Sequence, residues 1–232
     1  MTATLIVALD LDSRAEAETL IERLDDAVDF YKIGYQQFYG GDGFALGKAL
    51  LAAGKRVFFD LKLLDIDNTV EKGVAAIART GATMLTVHGY PRTMRVAAKA
   101  AAGSGLTVLG VTVLTSMDDR DMSETGYAND AAGIVALRAG QAKAAGMGGV
   151  VCSPLEAQMV RSIVGPNLAI VTPGVRPAGS ALGDQKRVMT PADTIRAGAS
   201  HLVVGRPITA AENPRQATDA ILAEMMAGTR AA

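Results

Sequence analysis

Phe58-Phe59-Asp60-Leu61-Lys62-Leu63-Leu64-Asp65-Ile66-Asp67-Asn68-Thr69 begins as an apolar strand and ends in a row of charges. On a strand, residues two apart point to the same side, so Asp60 and Lys62 project together while Phe59 and Leu61 face the other way. In a closed barrel Phe59 and Leu61 would meet the surrounding helices. Asp60 and Lys62 would then face the lumen at the carboxyl end of the strand. Burying an acid and a base there is costly unless they pair.

Short branched-apolar runs like this one recur on both sides of it. Strands are expected at residues 5–9, 30–33, 57–61, 84–87, 108–114, 149–152, 168–172 and 201–204, which makes eight. The segments between them are Ala-rich and helical in spacing. In the first, Ala15, Leu20 and Leu24 are expected on one buried face, with Glu16, Glu18, Glu22 and Arg23 elsewhere. Gly54, Gly81, Gly105, Gly146 and Gly198 each stand shortly before a strand, where a helix has to close. Strand and helix alternating with short connections imply parallel strands and right-handed crossovers. Eight such units predict a (β/α)8 barrel, the TIM-barrel architecture. The 232 residues form a single expected domain, close to the usual size of about 250. Two connections are long, 115–130 after strand five and 173–191 after strand seven. The second carries Gly174, Gly179 and Gly183 with Arg176, Gln185, Lys186 and Arg187. Both follow the carboxyl ends of strands, where barrel enzymes hold their chemistry.

Composition narrows the function. Apolar residues make up 49% of the chain and aromatics only 4%, with no Trp, which disfavours an aromatic platform for nucleic acid. With 23 basic and 24 acidic residues and no block of like charge, binding to a polyanion or a membrane surface has no electrostatic support. The lone Cys152 excludes an internal disulfide, fits a reducing compartment and reads as a small buried hydrophobe. Met1-Thr2-Ala3-Thr4 lacks the basic start and cleavage site of a secretory leader, and no apolar run reaches the ~20 residues of a membrane span. A cytoplasmic protein is expected. His88 and His201 lie in or beside different strands and read as packing residues, without the spacing of metal ligands.

The charges are harder to explain as packing. Asp-x-Lys alone is compatible with a buried ion pair that fixes barrel register. Asp65, however, is expected to bring a second carboxylate near the same lysine. Lys32, in Tyr31-Lys32-Ile33-Gly34, ends the second strand, and Asp10, in Ala8-Leu9-Asp10, ends the first. Five ionisable groups at three neighbouring strand ends point to chemistry. For Arg206, in Val203-Val204-Gly205-Arg206-Pro207-Ile208, a solvated surface role competes with phosphate binding next to a glycine-rich loop. For Thr115, a local backbone cap competes with ligand contact.

Asp60-Leu61-Lys62-Leu63-Leu64-Asp65-Ile66 resembles the Asp-x-Lys-x-x-Asp-Ile motif of the orotidine 5′-monophosphate decarboxylases. The resemblance runs through nearly the whole chain. Val7-Ala8-Leu9-Asp10, Tyr31-Lys32-Ile33-Gly34, Val113-Leu114-Thr115-Ser116, Thr172-Pro173-Gly174-Val175-Arg176 with Gln185, and Val203-Val204-Gly205-Arg206-Pro207-Ile208 follow in the family's order.

The resemblance implies decarboxylation of orotidine 5′-monophosphate to UMP and CO2 without metal or cofactor. It makes Lys62 the proton donor, flanked by Asp60 and Asp65. Lys32 completes the charge array and, with Asp10, holds the ribose. Thr115 meets the pyrimidine edge. Arg176, Gly205 and Arg206 bind phosphate, with Gln185 between phosphate and ring, and loop seven acts as a lid. It further implies a homodimer in which Asp65 and Thr69 reach into the partner's site. A relative of the same barrel, resembling 3-keto-L-gulonate 6-phosphate decarboxylase, shares the Asp-x-Lys-x-x-Asp strand but relies on Mg2+ and a second-strand Glu. Lys32 at that place argues against it. A catalytically silent phosphate-binding barrel would be expected to have lost the strand-three charges.

Overall fold

β1 (Thr4–Ala8), β2 (Phe30–Ile33), β3 (Arg56–Leu63), β4 (Met84–His88), β5 (Thr107–Val111), β6 (Gly149–Val151), β7 (Ala169–Thr172) and β8 (His201–Val204) follow one another with helices between them. The computed structural model describes residues 3–40, 42–177 and 189–230. Every strand pairs in parallel with the next, and β1 also pairs with β8, so the sheet closes into an eight-stranded barrel. The expected (β/α)8 fold is the fold observed.

The period-two alternation sorts the strand residues onto two faces. Ile6, Ala8, Phe30, Phe58, Met84, Leu109, Val171 and Val203 form one cluster that fills the lumen. Their strand neighbours, including Val7, Tyr31, Val57, Phe59 and Leu85, join the larger layer between barrel and helices. Phe58 and Phe30 plug the lumen with two of the chain's few aromatic rings. Burying each stabilises by about 1.5–3 kcal/mol. Asp60 and Lys32 lie two residues further along the same strands, so the charges stand on a hydrocarbon floor.

Six expected strands match within one residue at each end. β3 ends two residues later than expected because it continues through Lys62 into Leu63. β5 stops three residues early, at Val111. There the Thr112 N–H and hydroxyl both donate to the Val151 carbonyl, at 3.1 and 2.8 Å, and Arg138 donates to the Thr112 carbonyl. The chain then turns out of the sheet despite its apolar Val113 and Leu114.

The first helix, Arg14–Leu24, is capped by Ser13, whose hydroxyl accepts from the Glu16 N–H. Its buried face is Ala17, Leu20 and Leu24, and the expected Ala15 is exposed. Ala15 lies roughly 200° around the helix from Ala17, on the solvent side. The five punctuating glycines all take left-handed φ values, from 72° at Gly146 to 99° at Gly198, a region costly for any residue bearing a Cβ.

Connection 115–130 contains a short helix, Asp119–Glu124, started by a reciprocal cap between Asp118 and Asp121. Of connection 173–191, Gly179, Gly183, Gln185, Lys186 and Arg187 lie outside the described residues. Its two flanks meet where the Arg176 N–H donates to the Met189 carbonyl at 3.0 Å. Among the described residues no helix is long and apolar enough to cross a membrane.

Candidate active site

The carboxyl ends of β1, β2 and β3 bring four charges into one row. Lys32 Nζ lies 2.9 and 3.2 Å from the two Asp10 oxygens and 3.5 Å from Asp60 Oδ2. Asp60 Oδ1 in turn lies 2.9 Å from Lys62 Nζ. The order Asp10–Lys32–Asp60–Lys62 alternates in sign and sums to zero. Side-chain exposure is 9% for Lys32, 16% for Asp60, 23% for Lys62 and 48% for Asp10, so the centre of the row is dry and its Asp10 end is wet.

Burial opposes charge on Asp60. The Lys32 and Lys62 ammonium groups, with hydrogen bonds from Lys62 and Thr86, outweigh it and hold the carboxyl below its usual range. Burial likewise pushes Lys32 down, and Asp60 and then Asp10 outweigh it, so its ammonium titrates above the ordinary lysine value. At neutral pH Asp60 is therefore a carboxylate and Lys32 an ammonium.

Such a row is not an economical way to hold a barrel together. Desolvating each ion costs several kcal/mol, and well-packed apolar residues in its place are often as stable or more so. Lys62 carries a further cost, because its φ of 45° is left-handed, worth about 1–2 kcal/mol against an L-residue. Strain of this kind clusters at functional sites.

Neighbouring groups leave the row little freedom. Thr86 donates its hydroxyl to Asp60 Oδ1 at 2.9 Å and accepts the Lys62 N–H at 3.0 Å. The Tyr35 ring lies 5.2 Å from Lys62 Nζ, and its hydroxyl donates to the Leu61 carbonyl at 3.1 Å. Gly34 leaves room where a Cβ would come within 2.8 Å of Asp10 Oδ1 and 2.9 Å of Lys32 Nζ.

The row forms one wall of a cavity of about 470 Å³ at the barrel mouth. Phe58, Val111, Val151, Val171 and Val203 supply an apolar surface, while Thr115, Arg176, Gly205 and Arg206 stand at the loops. This volume and mix suit a molecule of nucleotide size with one polar and one flat apolar side.

Of the residues expected at a site, Asp10, Lys32, Asp60, Lys62, Thr115, Arg176, Gly205 and Arg206 line this single cavity. Asp65 and Thr69 do not. Both are exposed, and Asp65 Oδ1 accepts its neighbouring Ile66 N–H at 2.6 Å. Asp65 makes no ion pair with its own chain's Lys62 among the described residues, so the expectation of a second carboxylate beside that lysine fails within one chain. The reason is geometric: β3 ends at Leu63, and Asp65 lies beyond it in the turn to helix Asp67–Ala78. Gln185 is outside the described residues.

Tyr35 and the cavity-lining Gln36 carry no signal in the sequence that singles them out as site residues. Thr86 carries only one, a hydroxyl at the lumen-facing position between Met84 and His88. His88, at the end of β4, is held below the usual histidine range by burial and then by Lys62 and Arg138. His201 sits at the opposite end of the barrel, edge-on to Phe30. Cys152 is fully buried.

A closed parallel barrel with an ionic row and a ligand-sized cavity at its carboxyl mouth defines a (β/α)8-barrel enzyme. Residues 3–221 match the model of the Orotidine 5′-phosphate decarboxylase / HUMPS family. The chain belongs to that family. It is 37% identical to the orotidine 5′-phosphate decarboxylase of Lactobacillus acidophilus, whose crystal structure superposes with a TM-score of 0.84 over 96% of this chain and 99% of that one. An uncharacterized conserved protein from Geobacillus kaustophilus is 31% identical, with a TM-score of 0.81 over 95% of this chain and 99% of that one.

Proposed function

We propose that this chain converts orotidine 5′-monophosphate to UMP and CO2, with no metal or cofactor. The observation that carries the reading is the alternating Asp10–Lys32–Asp60–Lys62 row, dry at its centre, on the wall of a nucleotide-sized cavity, in a chain of this family. The Lys32 and Lys62 ammonium groups already neutralise Asp10 and Asp60 and leave no net negative charge to hold a divalent cation, which weighs against the Mg2+-dependent sugar-phosphate branch of the barrel.

In this mechanism the bond between C6 and the carboxylate breaks, CO2 leaves, and the electron pair stays on C6. Lys62 faces that carbon, stabilises the developing charge and delivers a proton to it, then regains one from water. Asp60 stands where the substrate carboxylate would lie. Its negative charge opposes the bound acid but not neutral CO2, and the valine-lined side of the cavity receives the apolar product. Because the row is already ordered by its own contacts, little reorganisation accompanies the reaction.

Asp10 and Lys32 hold the ribose hydroxyls, and Thr115 meets the pyrimidine edge. Arg176, Gly205 and Arg206 take the phosphate through charge-assisted bonds. The active unit is a two-fold homodimer in which Asp65 and Thr69 enter the partner's cavity. Leu64 and Ile66, which flank Asp65, are 52% and 72% exposed and support a covered surface there.

The test is ultraviolet loss of orotidine 5′-monophosphate with purified protein in a strong metal chelator. Rapid conversion to UMP is expected. Silence there, with turnover of a keto-sugar phosphate once Mg2+ is added, would overturn the proposal.

A further inference from the structure

β3 and β4 lose register at one place. Phe59 pairs with Leu85 and Leu63 with Val87, so Asp60, Leu61 and Lys62 stand opposite a single residue, Thr86. A bulge of this kind turns side chains out of their regular alternation. Asp60 and Lys62 nevertheless both line the cavity, and Lys62 does so from a left-handed backbone, a conformation that needs support from its surroundings.

Thr86 is fully buried. The Lys62 N–H donates to its Oγ1 at 3.0 Å, and the hydroxyl proton goes to Asp60 Oδ1 at 2.9 Å. These directions are forced, since an amide only donates and a carboxylate only accepts. One hydroxyl thus fixes the lysine through its backbone and the aspartate through its carboxylate. Asp60 Oδ1 is held where Lys62 Nζ meets it at 2.9 Å, which turns Oδ2 toward Lys32 at 3.5 Å. Thr86 does not line the cavity and so does not touch a bound substrate.

We propose that Thr86 is a positioning residue for the reaction, its single hydroxyl setting the Asp60–Lys62 geometry on which turnover depends. This rests on the decarboxylase reading above. A threonine whose hydroxyl served stability alone would cost folding free energy on change to valine, but would leave kcat of the folded enzyme unchanged.

The experiment compares wild type with Thr86→Val and Thr86→Ser, measuring kcat for orotidine 5′-monophosphate and calorimetric affinity for UMP. Thr86→Val should lose about 10- to 100-fold in kcat, the worth of one charge-assisted hydrogen bond, with UMP affinity within about threefold of wild type. Thr86→Ser, which keeps the hydroxyl, should recover most of that loss. If the valine variant does not fold, Thr86→Ser against Thr86→Ala isolates the hydroxyl instead, and the same gap in kcat is expected. Wild-type kcat in Thr86→Val, equal kcat in the serine and alanine variants, or a kcat loss matched by lost UMP affinity would each overturn the inference. Failure of the wild-type chain to decarboxylate the nucleotide would instead sink the reading beneath it.

Discussion

Replacing Gly34 by alanine adds one methyl group at the most crowded point beside the ionic row. A Cβ there would lie 2.8 Å from Asp10 Oδ1 and 2.9 Å from Lys32 Nζ, so both atoms must give way. Both are the ends of flexible side chains, and neither contact involves backbone, so the fold need not move. The easy displacement is Asp10, whose side chain is 48% exposed and can swing into water. Losing a contact to a charged group costs about 1.5–3 kcal/mol when buried, and solvent screening at Asp10 lowers that to about 1 kcal/mol in stability. The consequence for the row is larger. Lys32 would keep only its 3.5 Å contact to Asp60, drawing that carboxylate away from Lys62. Misplacement of about 1 Å at a reacting group is worth up to about 100-fold in rate. Gly34→Ala should therefore lower kcat/KM at least about tenfold while shifting the urea midpoint little. Full activity would refute the claim that the row must be held as found. Loss of stability in proportion to activity would refute the claim that only the row is disturbed.

Mixing Lys62→Ala with Asp65→Ala chains tests the shared site. Each variant alone should be inactive, but random reassortment should restore about a quarter of wild-type activity, because half the dimers then hold one intact site. No recovery, or full activity in Asp65→Ala alone, would contradict the shared arrangement. Acid stability should depend on His201, which burial, and then Arg56, push down to about 4 from its ordinary 6.5. The folded state resists a proton that the unfolded chain accepts, so this histidine's contribution is complete above pH 6.5 and is lost as pH falls toward 4. It amounts to at most about 3 kcal/mol. Urea midpoints at pH 7 and 4.5 should differ less in His201→Gln than in wild type, and an equal difference would contradict the assignment.

The strands were legible wherever a run of branched apolar residues stood between helix-closing glycines, because a strand buried on both faces has few other ways to be written. Legibility failed where a polar contact overrode that pattern. Arg138 and the Thr112 hydroxyl end β5 three residues before its apolar run does. A bulge carries β3 through its charges and beyond. On the first helix Ala15 and Ala17 look alike in composition, and only packing chooses between them. In the site, charged residues at strand ends announced themselves, since nothing in a lumen needs them. Thr86 and Gly34 did not, because a threonine in a strand and a glycine in a turn have ordinary reasons to be there. Spacing in sequence alone makes Asp65 a neighbour of Lys62, whereas the chain has left the strand before reaching it.

The central claim is that Lys62 supplies the proton and the stabilising charge while other groups bind the nucleotide. Its direct test is Lys62→Ala, assayed for turnover of orotidine 5′-monophosphate and, by calorimetry, for UMP binding. UMP affinity should stay within about tenfold of wild type while turnover falls by at least about 10⁴-fold, well beyond the loss expected of one binding contact. A variant that binds UMP and still turns over at a rate near wild type would contradict the account.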